Sequence, residues 1–181
     1  MDDPLDLGRP TSGDVLDLIL DDHRRFEALL RELRDSTSDR DAVRRAFAAL
    51  HVAHAQAEED EVYPTLHRKD AISEDQAEHS EEEHAEGHEA LLKVLEADGV
   101  EGEEFGELVE ELATAVNHHL SEEELTILNP ARDEVDETAR QKLGKEFARA
   151  RNAQLDDDCG RIDNVRAIVE RAEKKGLLDK D

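Results

Sequence analysis

The sequence predicts an all-α fold, an up-and-down four-helix bundle followed by a C-terminal helical appendage. Apolar residues recur at three- and four-residue intervals over long stretches, the period of one face of an α-helix. The apolar set is mostly Leu, Ala and Val, with four Phe, one Tyr, no Trp, nine Gly and four Pro, a mixture that favours helices over strands. With 181 residues, 37% of them hydrophobic, the chain can fill one domain-sized core despite 40% charged residues.

The first helix follows the start signal Thr11-Ser12-Gly13-Asp14 and carries Val15, Ile19, Phe26, Leu29, Leu30 and Leu33; the polar run Ser36 to Asp39 closes it. The second carries Val43, Phe47, Leu50, Ala57 and Val62 and is expected to bend or end near Pro64. The third opens on the capping-box pattern Ser73-Glu74-Asp75-Gln76, presents Leu91, Leu92 and Leu95, and stops at Asp98-Gly99. The fourth runs through Phe105, Leu108, Val109, Leu112, Val116 and Leu120, and Asn129-Pro130 should terminate it. Connections are short, so neighbouring helices should be antiparallel. Beyond Pro130, Val135, Ala139, Leu143, Phe147 and Ala150 sketch a fifth helix, and Ile162, Val165, Ile168, Val169 and Ala172 a sixth, separated by the acidic break Asp156 to Gly160. The expected organisation is an N-terminal arm over 1–13, the bundle over 14–130 and a helical extension over 131–181. The extension could pack on the bundle, pair with another copy or stay partly mobile, and a monomer or weak homodimer is expected.

Forty-nine Asp and Glu against 23 Lys and Arg give a formal net charge of −26. Such a chain repels phosphate backbones and anionic lipid heads and attracts cations, so neither nucleic acid nor a membrane surface is expected as a partner. No apolar run approaches the roughly 20 residues of a membrane span. A single cysteine, Cys159, forms no intrachain disulfide, and its acidic surroundings make it a poor nucleophile. The acidic opening Met1-Asp2-Asp3-Pro4-Leu5 lacks a signal-peptide pattern, so a cytoplasmic location is expected.

Nine histidines stand out. Residues four apart share a helix face about one turn apart, so a His and a carboxylate at that spacing can reach one metal ion together. The second and fourth helices each carry that pair, His54 with Glu58 and His119 with Glu123. The third carries His84 and His88 at the same spacing, and the first places His23 within its apolar stripe. A rise of roughly 1.5 Å per residue puts all four sets at comparable depth, one layer across the bundle. A lone His on an apolar face is more often hydrogen-bonded structure than a ligand. Five histidines and two carboxylates facing one core are different, because burying them without a partner costs several kcal/mol, and a metal supplies that partner. Imidazole with carboxylate suits Fe, Mn, Zn or Cu, and seven ligands exceed one ion's usual complement, so two ions are expected.

The order His23, His54-x-x-x-Glu58-Glu59 running to Tyr63-Pro64, Glu83-His84, then His119-x-x-x-Glu123-Glu124 resembles the hemerythrin-like, HHE cation-binding family over roughly residues 14 to 130. The resemblance implies a four-helix bundle around a non-haem di-iron centre, two Fe ions with an oxo or hydroxo bridge, that meets O₂, H₂O₂ or NO. It implies further that His84, His88 and His119 hold one iron, that His23 and His54 hold the other, and that Glu58 and Glu123 bridge. Two departures matter. Oxygen-carrying hemerythrins end the pattern with His-x-x-x-x-Asp, whereas here a Glu follows His119 at four residues or at five, Glu123 or Glu124. The carriers also close the pocket with bulky side chains, which weighs against reversible oxygen storage in a chain so poor in aromatics.

Of the other histidines, His118 is turned about 100° from His119 and should be exposed or outside the ligand set, His51 lines the pocket or meets a carboxylate, and His67 and His79 should be solvated. Glu59 and Glu124 should be outer acids, and Tyr63 packing. Catalase-like peroxide removal is the favoured activity, against reversible O₂ or NO binding and against an iron-holding module without chemistry.

Overall fold

A computed structural model of the chain describes residues 5–178; residues 1–4 of the arm, which hold most of the acidic opening, and the last three of the extension lie outside the described residues. Every regular element among the described residues is helical. Helix α1 (Val15–Arg34) starts where the Asp14 carboxylate accepts the Leu16 N–H, and α2 (Arg40–Ala57) where Asp39 accepts that of Ala42. After α2 the chain makes one wide π turn, Glu58–Val62, and continues as α3 (Tyr63–Arg68). Helix α4 (Glu74–Glu96) opens on a complete capping box, Ser73 and Gln76 each accepting the other's backbone N–H. Helix α5 (Gly102–Glu123) passes through a second π turn, Glu124–Leu128, into α6 (Asn129–Glu134). Helices α7 (Glu137–Asp156) and α8 (Ile162–Lys175) form the extension, and Gly176, in the left-handed conformation, ends the last one.

Neither Pro64, where a bend or an end is expected, nor Pro130, where an end is expected, stops its rod. Each proline is the second residue of the short helix that follows a π turn, at the point where the hydrogen-bond register changes. In both wide turns the hydrogen bond reaches five residues back, from Tyr63 N–H to the Glu58 carbonyl and from Asn129 N–H to the Glu124 carbonyl. The rods therefore run on, to Arg68 and to Glu134.

The extension packs on the bundle, α7 against α1 and α2 and α8 against α4. Two glycines permit the close approach. A methyl group at Gly144 would lie 1.9 Å from the Gly13 carbonyl oxygen, and one at Gly160 would lie 2.4 Å from the Ala49 nitrogen. None of the described helices is long and apolar enough to cross a membrane. Two apolar clusters divide the interior. Phe26, Leu30, Phe47, Leu50, Val94 and Leu112 belong to one. Ile19, Val62, Leu66, Ile127, Leu143 and Phe147 belong to the other. On α1, Ile19 and Phe26 belong to opposite clusters and His23 lies between them, so the polar layer sits where the two clusters meet.

Candidate metal centre

Helical period alone delivers the donors: His23, His54, Glu58, His84, His119 and Glu123 all lie on the inward faces of their helices, each at most 4% exposed. Their ligand atoms converge into two groups, His23, His54, Glu58 and Glu123 in one and Glu58, His84 and His119 in the other, with atoms within 4.8 Å of one another in each. Glu58 belongs to both. Its Oε1 lies 3.2 Å from His54 Nε2 and its Oε2 3.1 Å from His84 Nε2, so a single carboxylate spans the two histidine sets. Glu123 lies opposite, with Oε2 3.1 Å from His23 Nε2 and 3.8 Å from His119 Nε2.

The other ring nitrogen of every one of these histidines is held by a carboxylate. Nδ1 of His23 meets Glu124 at 2.8 Å, that of His54 meets Asp22 at 3.1 Å, that of His84 meets Glu59 at 2.8 Å and that of His119 meets Glu83 at 2.9 Å. Such a carboxylate accepts a hydrogen bond from Nδ1–H and leaves the Nε2 lone pair aimed inward, the arrangement in which a His ligates a metal. The bundle repeats itself in this respect. Asp22, His23, His54, Glu58 and Glu59 on the first half answer to Glu83, His84, His119, Glu123 and Glu124 on the second, and each half contains one π turn. Asp22 and Glu83 serve the neighbouring helix of their own half, whereas Glu59 and Glu124 reach across to the other.

Tyr63, fully buried, brings its hydroxyl to the centre rather than only packing: it donates to Glu123 Oε1 at 2.7 Å and lies 3.2 Å from Glu58 Oε2. Burial, together with the charges of Glu123 and Glu58, raises its pKa well above that of an ordinary phenol, so the proton stays on the oxygen. His88 is in neither ligand group. It lies edge-on to His51, ring centroids 4.5 Å apart, and both are buried with an unpartnered nitrogen, Nε2 of His88 and Nδ1 of His51. Burial, reinforced by the surrounding imidazoles, pushes His88 down to about 4 and His51 well below the histidine range, so both remain neutral. Gly87 makes room for this pair, since a methyl group there would come 2.8 Å from His51 Nε2.

Aromatic side chains are few but concentrated. Phe26 and Phe147 both stand edge-on to the His54 ring, at 5.2 and 5.9 Å, and Phe47 stacks on His51 at 5.9 Å. The pocket is therefore walled by aromatics on the His54 side, which composition alone did not reveal. His118 and His79 are exposed, although each brings Nε2 near Glu83 Oε1, at 3.1 and 3.4 Å. His67 faces the Ile72 carbonyl. Sequence reasoning did not identify Asp22 or Arg151 and named Glu83 only beside His84, not as the support of His119; Arg151 is 0% exposed and binds Asp22 from α7.

The donor set fits a metal. His54 Nε2, Glu58 Oε1 and His119 Nε2 are buried without a hydrogen-bond partner although they face one another, and buried polar atoms rarely stay unsatisfied. A cation in each donor group would satisfy them, His54 and Glu58 in one and His119 in the other. Burial disfavours ionising Glu58, yet His54 and His84 outweigh it and hold the carboxyl well below its usual range, as a bridging carboxylate requires.

The chain is 27% identical over 141 residues to a DNA nickase of Nostoc sp. (strain PCC 7120); the match takes in 76% of this chain and spans 39% of that relative's length. No solved structure matches the chain significantly. The family model of the hemerythrin HHE cation-binding domain matches residues 14–131, the stretch that contains both π turns and every donor of the buried cluster. With that span and that cluster, the chain belongs to the hemerythrin HHE cation-binding domain family.

Proposed function

We propose that the protein is a non-haem di-iron protein that removes hydrogen peroxide, converting two H₂O₂ to two H₂O and O₂. The observation that carries this reading is the double reach of Glu58, one oxygen toward His54 and the other toward His84, which suits two ions held a carboxylate apart. His23, His54, Glu58 and Glu123 would hold one ion, and Glu58, His84 and His119 the other. Two bound irons would supply the paired one-electron changes that peroxide disproportionation needs. The chain contributes the rest. Asp22, Glu59, Glu83 and Glu124 fix the tautomer of each imidazole, and the closed aromatic wall keeps bulk water off the His54 side. Tyr63 keeps its proton at the hydroxyl oxygen and donates hydrogen bonds to both central carboxylates, which holds them in place. A surface cavity of about 270 Å³ between α2, α4 and α8, lined by Glu59, His88 and Arg171 among others, opens beside Glu59, the carboxylate that supports His84.

Reversible O₂ or NO binding is the second reading, and the Phe26, Phe47 and Phe147 wall favours it, since a sealed apolar pocket protects a bound diatomic. Nicking of DNA, the activity in the relative's name, is opposed by the charge of −26. An oxygen electrode separates these. Iron-loaded oxidised protein should release O₂ on addition of peroxide and leave supercoiled plasmid intact. No peroxide-dependent O₂, with stable uptake of O₂ or NO by the reduced protein, would replace the first reading by the second.

A further inference from the structure

The two halves of the centre differ in what stands behind the supporting carboxylates. In the second half the carboxylate behind His119, Glu83, faces the exposed His79 and His118. In the first half the carboxylate behind His54, Asp22, is 1% exposed and is gripped by Arg151, which is 0% exposed and comes from the C-terminal extension. Arg151 donates from Nε to Asp22 Oδ2 at 2.7 Å and from Nη2 to Asp22 Oδ1 at 2.8 Å, a two-pronged grip that fixes both oxygens at once. The same guanidinium donates to the Leu7 carbonyl at 2.7 Å and the Gly8 carbonyl at 3.2 Å, so it also ties down the N-terminal arm. Asp22 Oδ2, thus fixed, meets His54 Nδ1 at 3.1 Å, and His54 Nε2 points at Glu58.

We propose that Arg151 is a positioning residue of the metal centre: acting through Asp22, it aims His54 at Glu58, so the ion position shared by His23 and His54 depends on the C-terminal extension while the His84/His119 position does not. This rests on the reading of the buried cluster as a two-ion site. A carboxylate in a dry interior keeps its charge and orientation only while its partner stays in place. With Arg151 removed, Asp22 keeps only Arg25 among the arginines, half-buried and 3.4 Å from Oδ1, and Oδ2, the oxygen that meets His54, loses the charged donor that fixes it. Loss of a partner that orients a metal-binding His weakens metal affinity by roughly 10- to 100-fold. The extension would then be part of the centre, and anything that loosens α7 would empty one position before the other.

The test is anaerobic Fe(II) titration of chelator-stripped full-length protein against a competing chelator, with helical content followed by circular dichroism. Wild type should bind two ions. Arg151→Gln should keep one at wild-type affinity and weaken the other about 10- to 100-fold, Arg151→Lys should recover part of the loss, and Asp22→Asn combined with Arg151→Gln should lose no more than the worse single variant. Arg140→Gln is the control, because Arg140 ties α7 to Asp14 at 2.8 Å away from the centre, and it should leave both affinities unchanged. If Arg151→Gln fails to fold, Asp22→Asn alone must show the selective loss of one ion. Two ions at wild-type affinity in Arg151→Gln, or the same loss in Arg140→Gln, would reduce Arg151 to a staple of the extension and overturn the proposal. A wild-type chain that binds no iron would overturn the two-ion reading itself, and the inference with it.

Discussion

Replacing Gly144 by alanine tests how rigidly the extension is seated. The new methyl group would lie 1.9 Å from the Gly13 carbonyl oxygen, 2.9 Å from the Gly13 carbonyl carbon and 3.1 Å from the Val15 nitrogen. All three are backbone atoms, so no side chain can rotate aside; α7 must move out by about 1.5 Å to reach ordinary contact. Alanine returns up to about 1 kcal/mol of helix propensity, whereas overpacking a closed contact costs about 1–3 kcal/mol. With the obstacle made of backbone, the upper part of that range applies and the net loss is about 1–2 kcal/mol, or roughly 2–8 °C in melting temperature for a chain of this size. Gly106, in the second turn of α5, is the matched control: nothing lies within 4 Å of its added methyl, so Gly106→Ala should gain about 0.5–1 kcal/mol. Thermal melts followed by far-UV circular dichroism check both. If Gly144→Ala stabilised the protein as much as Gly106→Ala, the close seating of α7 on α1 would be refuted.

Metal-stripped and metal-loaded protein should respond to pH in opposite senses. Burial opposes charging His54 and His84, but Glu58 with Asp22, and Glu58 with Glu59, outweigh it and raise each to about 10 in the stripped chain. That stabilisation is complete below the unfolded value near 6.5 and is lost as pH rises toward 10, so the stripped chain's melting temperature should fall over that window. The loaded protein should instead lose metal and stability as pH falls below about 6.5, where protons compete for its imidazoles; parallel profiles would contradict the assignment. Cys159 is buried, and burial, with the charge of Asp158 adding, pushes its thiol to about 11. At pH 8 native protein should therefore react with a disulfide reagent about 100-fold more slowly than denatured protein, and equal rates would show that the thiol is open to solvent.

The donors were legible because helices write them plainly. His54 with Glu58 and His119 with Glu123 stand four apart, and His23 and His84 interrupt apolar stripes, so period and depth together aim them at one layer. Their supports were not legible. Asp22 and Glu83 each precede a histidine in sequence yet serve one on the neighbouring helix, and Arg151 reaches Asp22 from 129 residues away. His88 shares spacing with His84 but lies beside His51, a choice made by the missing Cβ of Gly87 rather than by any period. The prolines misled because a π turn has no simple sequence signature. Pro64 reads as a bend or an end and Pro130 as an end until the wide turns at Glu58 and Glu124 explain how the rods continue, and both turns sit at the donors, as π turns often do at functional sites. The extension's attachment depends on Gly144 and Gly160, small residues whose value shows only against the backbone they touch.

Glu58 is the one residue that both donor groups share. Metal analysis of protein made in iron-sufficient cells, set beside its Glu58→Ala and Glu59→Ala variants, measures this. Wild type should carry about two irons per chain, as its two donor groups imply. Glu58→Ala should lose most of both, while Glu59→Ala, which removes only the support behind His84 Nδ1, should retain the His23/His54 ion. Zinc alone or no metal in the wild type, or equal iron loss in the two variants, would contradict the account.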